Sequence, residues 1–123
     1  MKWLALLMMV LMTACAHTGK PQAGTSSQGH GADSSPERAA SQNLVTEGVR
    51  FLEEGNFDQA EDILREAVTI DPSNGEAYYH LAVVLTRSGR GSEAVGLLEK
   101  AEHLLGNDFF WQERLDDLKK ELL

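Results

Sequence analysis

The stretch 44–105 says nearly the same thing twice, and this limits the fold more than any other feature. Shifted by 34 positions, Gly55 falls on Gly89, Ala60 on Ala94, Leu64 on Leu98 and Ala67 on Ala101. Small residues recur at fixed places, and a Gly-containing break recurs between apolar runs of helical spacing. A period of this length built from two helices is the mark of a helical-repeat scaffold, in which each hairpin buries its apolar face against the next. The expected class is all-α.

The helices follow from local chemistry. Ser35-Pro36-Glu37 can start a helix: Ser caps free amides, Pro fits the first turn, and Glu favours the positive end. The first helix is expected over about 36–54, with Leu44, Val45, Gly48, Val49, Phe51 and Leu52 at helical spacing and Gly55-Asn56 as its stop. The second starts near Asp58, which with Glu61 has the spacing of a capping box. It ends at Asp71-Pro72, since Pro cannot continue a helix. A second capping box is read in Ser73-Asn74-Gly75-Glu76, and the third helix runs to about Ser88. Gly89 and Gly91 form the next turn. The fourth helix covers about 92–105 and stops at Gly106-Asn107. In the fifth, 108–123, Trp111, Leu115, Leu118 and Leu122 share one face. It is expected to cover the open end of the stack; docking a partner or a second copy is the alternative. Phe109 and Phe110 cannot both share the Trp111 face, so at least one is expected to be exposed.

With the hairpins placed, the pattern resembles the tetratricopeptide repeat (TPR). Leu44, Gly48, Phe51, Ala60, Leu64, Ala67 and Pro72 stand at the family's spacings in the first repeat. Tyr78, Leu81, Ala82, Leu85, Ala94, Leu98 and Ala101 do so in the second. Gly106 replaces the usual closing Pro, and Glu47 the usual Leu. Gly48 and Ala82 are expected to let the paired helices approach at Ala60 and Ala94, which offsets the roughly 1 kcal/mol that a mid-helix Gly costs against Ala. The resemblance implies a TPR-type α-solenoid of two repeats, about 41–74 and 75–106, within 36–106, followed by a capping helix over 107–123.

The first fifteen residues carry an address. Met1-Lys2 is basic, about ten apolar residues follow, and Thr13-Ala14-Cys15 closes the run, as in a secretory signal. Ten residues make a helix of about 15 Å, too short for roughly 30 Å of hydrocarbon. Leu11-Met12-Thr13-Ala14-Cys15 resembles the lipobox of bacterial lipoproteins, with Met12 where Leu is commonest. That resemblance implies a signal peptide over 1–14, cleavage before Cys15 and acylation there. The implied location is the cell envelope: the periplasmic side of the outer membrane, favoured by Ala16 rather than Asp, or the outer face of the plasma membrane. Residues 15–35 then form the lipidated cysteine and a Gly/Ser/Gln-rich linker, expected to be disordered, with a reach of roughly 25 Å. His17 and His30 read as polar linker residues.

Charge and chemistry narrow the function. The chain carries 19 acidic and 11 basic residues, a formal net charge of −8. Phosphate binding needs net Lys and Arg, so nucleic acid is not an expected partner. The single Cys rules out an internal disulfide and a zinc site of several thiolates. His80 and His103 fall on different helices, and there is no His-x-x-x-His pair, phosphate loop or marked nucleophile. No enzyme activity, cofactor, metal or small-molecule substrate is expected.

The TPR resemblance implies a protein or peptide partner in a concave groove lined by the first helix of each hairpin. In this chain that groove maps to Val45, Val49, Leu52, Glu53, Tyr79, His80, Val83, Thr86 and Arg87, with Tyr79 and Arg87 the strongest contact candidates. Repeats of this family that grip a C-terminal carboxylate use Lys and Asn where Val45 and Val49 stand, which argues against that mode and for an apolar helix or extended segment. The same residues also read as ordinary repeat packing. The function expected is a lipid-anchored adaptor in envelope, pilus or secretion assembly. The alternative is a structural subunit or homo-oligomeric scaffold.

Overall fold

A computed structural model describes residues 35–123; the expected signal peptide, Cys15, His17 and His30 lie outside the described residues. The described residues form five helices: α1 (Pro36–Glu53), α2 (Phe57–Ile70), α3 (Gly75–Arg87), α4 (Gly91–Leu105) and α5 (Phe109–Leu122). The fold is all-α and of TPR type. α1 pairs with α2 and α3 with α4 as hairpins, α3 rests on both helices of the first hairpin, and α5 rests on α3 and α4.

Leu64, Leu81, Leu85 and Val84 are the largest apolar side chains wholly withdrawn from solvent. Burying each stabilises the fold by roughly 1.5–3 kcal/mol. Ala60, Ala67, Ala77, Ala82, Ala94 and Ala101 fill the helix contacts, each at 0 % exposure. These alanines are the periodic small residues of the sequence, and they set how closely the helices approach. Gly48 serves the same end: a β-carbon there would lie 2.6 Å from Leu64 Cγ. The intra-hairpin turns both use a left-handed glycine, Gly55 at φ 76° and Gly89 at φ 79°. An L side chain resists that conformation.

Several helix starts differ from expectation. Ser35 caps α1 as its sequence suggests, accepting from Arg38 N at 3.2 Å. α2, however, begins at Phe57 after Asn56, and no side chain caps it. The Asp58–Glu61 box does not form, because the Glu61 carboxylate is held by Arg65 and Arg90 at 2.7 Å each. α3 is capped by Asn74, whose Oδ1 accepts from Ala77 N at 3.3 Å. Ser73 instead donates its hydroxyl to Asp71 Oδ1 at 2.6 Å, and Glu76 accepts from Gln42 Nε2 at 2.9 Å. Gly91 belongs to the first turn of α4 rather than to the loop before it. In both capping boxes the acidic residue is taken by a distant partner, Arg90 for Glu61 and Gln42 for Glu76, rather than by the local reciprocal bond.

No helix among the described residues is long and apolar enough to cross a membrane.

Candidate functional site

The first helices of the hairpins, α1 and α3, share a face that α5 continues. The repeat register shows why. Adding 34 to Tyr79, Val83 and Arg87 gives Glu113, Asp117 and Glu121. α5 therefore takes the place of a third first-helix, bound through Trp111, Leu115 and Leu118, which are buried. Between α3 and α5 lies an open cleft of about 660 Å³, with Tyr79, Val83 and Arg87 on one wall and Glu113, Arg114, Asp117, Leu118 and Glu121 on the other.

The nine residues mapped to the groove separate into two groups. Val45, Leu52 and Val83 are 3 %, 6 % and 9 % exposed and belong to the core. They follow the packing reading, and the continuous apolar trough expected over Val45, Val49, Leu52 and Val83 is therefore mostly closed. Val49, Tyr79, His80 and Thr86 are half-buried, and Glu53 and Arg87 are exposed. Thr86 spends its hydroxyl on Ala82 O at 2.8 Å. Tyr79, Val83 and Arg87 meet in the α3–α5 cleft; Val45, Val49, Leu52 and Glu53 do not line it. The α5 side chains of the cleft escaped the sequence reading because α5 was taken as a cap. The 34-residue register, carried one step further, points to them.

An aromatic group packs around Tyr79. Tyr79 meets Trp111 edge-on with centroids 5.2 Å apart, and His80 meets both rings, at 5.1 and 6.2 Å. Burial pushes the His80 imidazole down to about 4, and the nearby Arg114 charge acts in the same direction. His80 is thus neutral at neutral pH. Burial also raises the Tyr79 phenol, against the opposing influence of Arg114 and Arg87. Arg114 lies over Phe110 at 4.4 Å and Trp111 at 5.6 Å, in cation–π geometry. Phe109 and Phe110 are both exposed, at 85 % and 58 %.

Charge is paired elsewhere. Arg90 joins Glu61 of α2 to Glu93 of α4 at 2.7 and 2.6 Å. The hydrogen bond from Arg65, with those from Arg90, holds the Glu61 carboxyl below the usual range. Outside the cleft, on the exposed side of α5, Lys120 meets Asp117 at 3.0 Å, whereas Arg87 and Arg114 make no ion pair among the described residues. The described residues hold no group of three or more His, Cys, Asp or Glu side chains placed to bind a metal ion.

Residues 51–109 match the tetratricopeptide repeat family, a span from the last turn of α1 to the start of α5. No curated protein matches the chain. Repeats of this family generally mediate protein–protein interactions, and proteins built from them are typically adaptors without catalytic activity.

Proposed function

We propose that this TPR protein is a lipid-anchored adaptor of the bacterial cell envelope that holds a protein partner on the face formed by α1, α3 and α5. The observation that carries the reading is the α3–α5 cleft. It presents a half-buried Tyr79 beside an Arg87 that no carboxylate of the described fold engages. Aromatic and Arg side chains supply a large share of interface energy when a partner covers them. The lipobox-like run ending at Cys15 supports the anchor, and two acyl chains suffice to hold a protein at a membrane surface. Envelope, pilus or secretion assembly is the setting such an anchored adaptor fits.

Two experiments test this. Metabolic labelling with radioactive palmitate should mark the wild-type chain and not Cys15→Ala; equal labelling of both removes the anchor. A photo-crosslinking amino acid at position 79 or 87, introduced in cells, should trap a protein that the same probe at exposed Asp62 on α2 does not. Identical products from both faces would sink the adaptor.

A second reading, a homo-oligomeric scaffold, draws on the exposed Phe109 and Phe110. Light scattering on the full chain in neutral detergent distinguishes it. An oligomer that Phe109→Ser with Phe110→Ser reduces to a monomer supports the scaffold. A wild-type monomer excludes it.

A further inference from the structure

We infer that the α3–α5 cleft takes a basic amphipathic segment of a partner protein, with Lys or Arg along one side and aliphatic residues along the other. The inference rests on the reading that this face binds a protein, and it names the chemistry of that protein.

The two walls differ in kind. On α5, Glu113, Asp117 and Glu121 follow one another at steps of four, so their carboxylates form one stripe, and all three line the cleft. On α3, Tyr79 and Val83 stand at the same step and line the opposite wall. An occupant lying along the cleft meets three carboxylates and one guanidinium, Arg114, on the α5 side, and an aromatic group, an aliphatic group and Arg87 on the α3 side.

The stripe is under-neutralised. Like charges four residues apart on a helix repel one another. Asp117 alone has a cation partner, Lys120 at 3.0 Å on the exposed side of α5. Glu113 and Glu121 have no ion pair among the described residues. Arg114, next to Glu113 in sequence, also lines the cleft, with its guanidinium over the rings of Phe110 and Trp111 rather than on a carboxylate. Arg87 is level with Glu121 in the repeat register and stands on the opposite wall, so the anionic excess lies on the α5 wall, three carboxylates against one guanidinium. Cationic side chains from a partner would relieve the repulsion while the apolar side of the segment covers Tyr79 and the edge of Val83. The chain's net charge of −8 speeds approach of such a partner, and anionic lipid and nucleic acid are repelled by the same field.

Charge alone is not the site, and the chain carries its own control. Asp58, Asp62 and Glu66 form a stripe of identical spacing on exposed positions of α2, and none of them lines the α3–α5 cleft. The test uses the full chain in a neutral detergent, with empty micelles as blank. The probes are fluorescein-labelled helical peptides of roughly 15 residues, built from Ala and Leu with either Lys or Glu on the polar side. Anisotropy is expected to show the Lys peptide binding at least about tenfold tighter than the Glu peptide. The triple variant Glu113→Gln, Asp117→Asn, Glu121→Gln should weaken it by about tenfold and flatten its salt dependence. The α2 triple variant, Asp58→Asn, Asp62→Asn, Glu66→Gln, should change it less than about twofold. Equal loss in the two triple variants overturns the inference, because general attraction then explains binding. Preference for the Glu peptide, lost on Arg87→Gln, also overturns it and leaves the adaptor intact. So does failure of both peptides while position 79 still crosslinks a protein in cells. Absence of that crosslink removes the adaptor reading itself.

Discussion

The two turns that join successive helical layers are equivalent in the repeat and are sealed by opposite chemistry. At the first, Ser41 of α1 donates to Ala67 O at 2.9 Å and accepts from Asn74 Nδ2 at 2.9 Å. Ser41 and Asn74 are buried, at 0 % and 8 % exposure. Asp71 completes the group, accepting from Ser73 N at 3.0 Å, with the Arg38 guanidinium 3.7 Å from its Oδ2. Moving 34 positions on replaces Ser41 by Gly75, Asp71 by Leu105 and Asn74 by Asp108. Here Leu105 fills the space, and a β-carbon at Gly75 would stand 2.5 Å from its Cγ. Asp108 retains only the cap, accepting from Phe110 N at 2.9 Å. One backbone arrangement thus tolerates either a hydrogen-bonded polar cluster or a glycine–leucine contact. Exchanging single members between them should fail, because each member is sized and charged for its own partners.

The apolar side of this comparison predicts the largest effect. Trp111 anchors α5 at the second turn, so Trp111→Ala should lower stability in urea unfolding by about 3–5 kcal/mol. A loss under about 1 kcal/mol would mean that α5 is only loosely attached. Next come the two caps. Asn74→Ala removes a cap and the buried bond that Ser41 Oγ accepts, for about 2–3 kcal/mol, whereas Asp108→Ala removes a cap alone, for about 1 kcal/mol. Equal losses would erase the distinction between the turns. Gly75→Ser, which copies one residue of the first turn into the second, should destabilise by about 2 kcal/mol through overpacking against Leu105, and adding Leu105→Ala should recover part of it.

Acid separates the turns as well. His80, at the second, is held down to about 4 by burial first and by Arg114 next, below the ordinary 6.5 of an unfolded chain. The unfolded state therefore takes up a proton before the folded one does. The stability His80 contributes is complete above pH 6.5 and is lost as pH falls toward 4. Between pH 7 and 5 the loss should be about 1–2 kcal/mol, and His80→Gln should flatten it in thermal melts at a series of pH values. Asp71, at the first turn, is lowered chiefly by the Ser73 hydroxyl bond, with its backbone bond and Arg38 adding to it. Its contribution is present above the ordinary carboxyl value and is lost only in stronger acid. An acid transition unaffected by His80→Gln would place the weak point elsewhere.

Much of this architecture was legible without coordinates. The 34-residue period, five helices, two left-handed glycine turns, the Ser35 cap and the buried face of α5 depend on residues close in sequence or on a repeating pattern, and both can be read locally. The cleft was only half legible: Tyr79 and Arg87 were named, but the carboxylates opposite them sit on a helix read as a cover. Val45 and Leu52 looked like groove residues because a short first helix shows the same apolar stripe whether it faces a ligand or its own core. The aligned Gly, Ala and Leu positions determined what kind of fold this is, because periodic small side chains leave helices one compact way to stack. Tertiary structure decided the rest: that Asn74 rather than Ser73 caps α3, that Glu61 turns to Arg90, that His80 stays neutral, and that an acidic stripe faces Tyr79. Each depends on groups brought together from distant parts of the chain, and a hydrogen bond or a burial cost exists only once they meet.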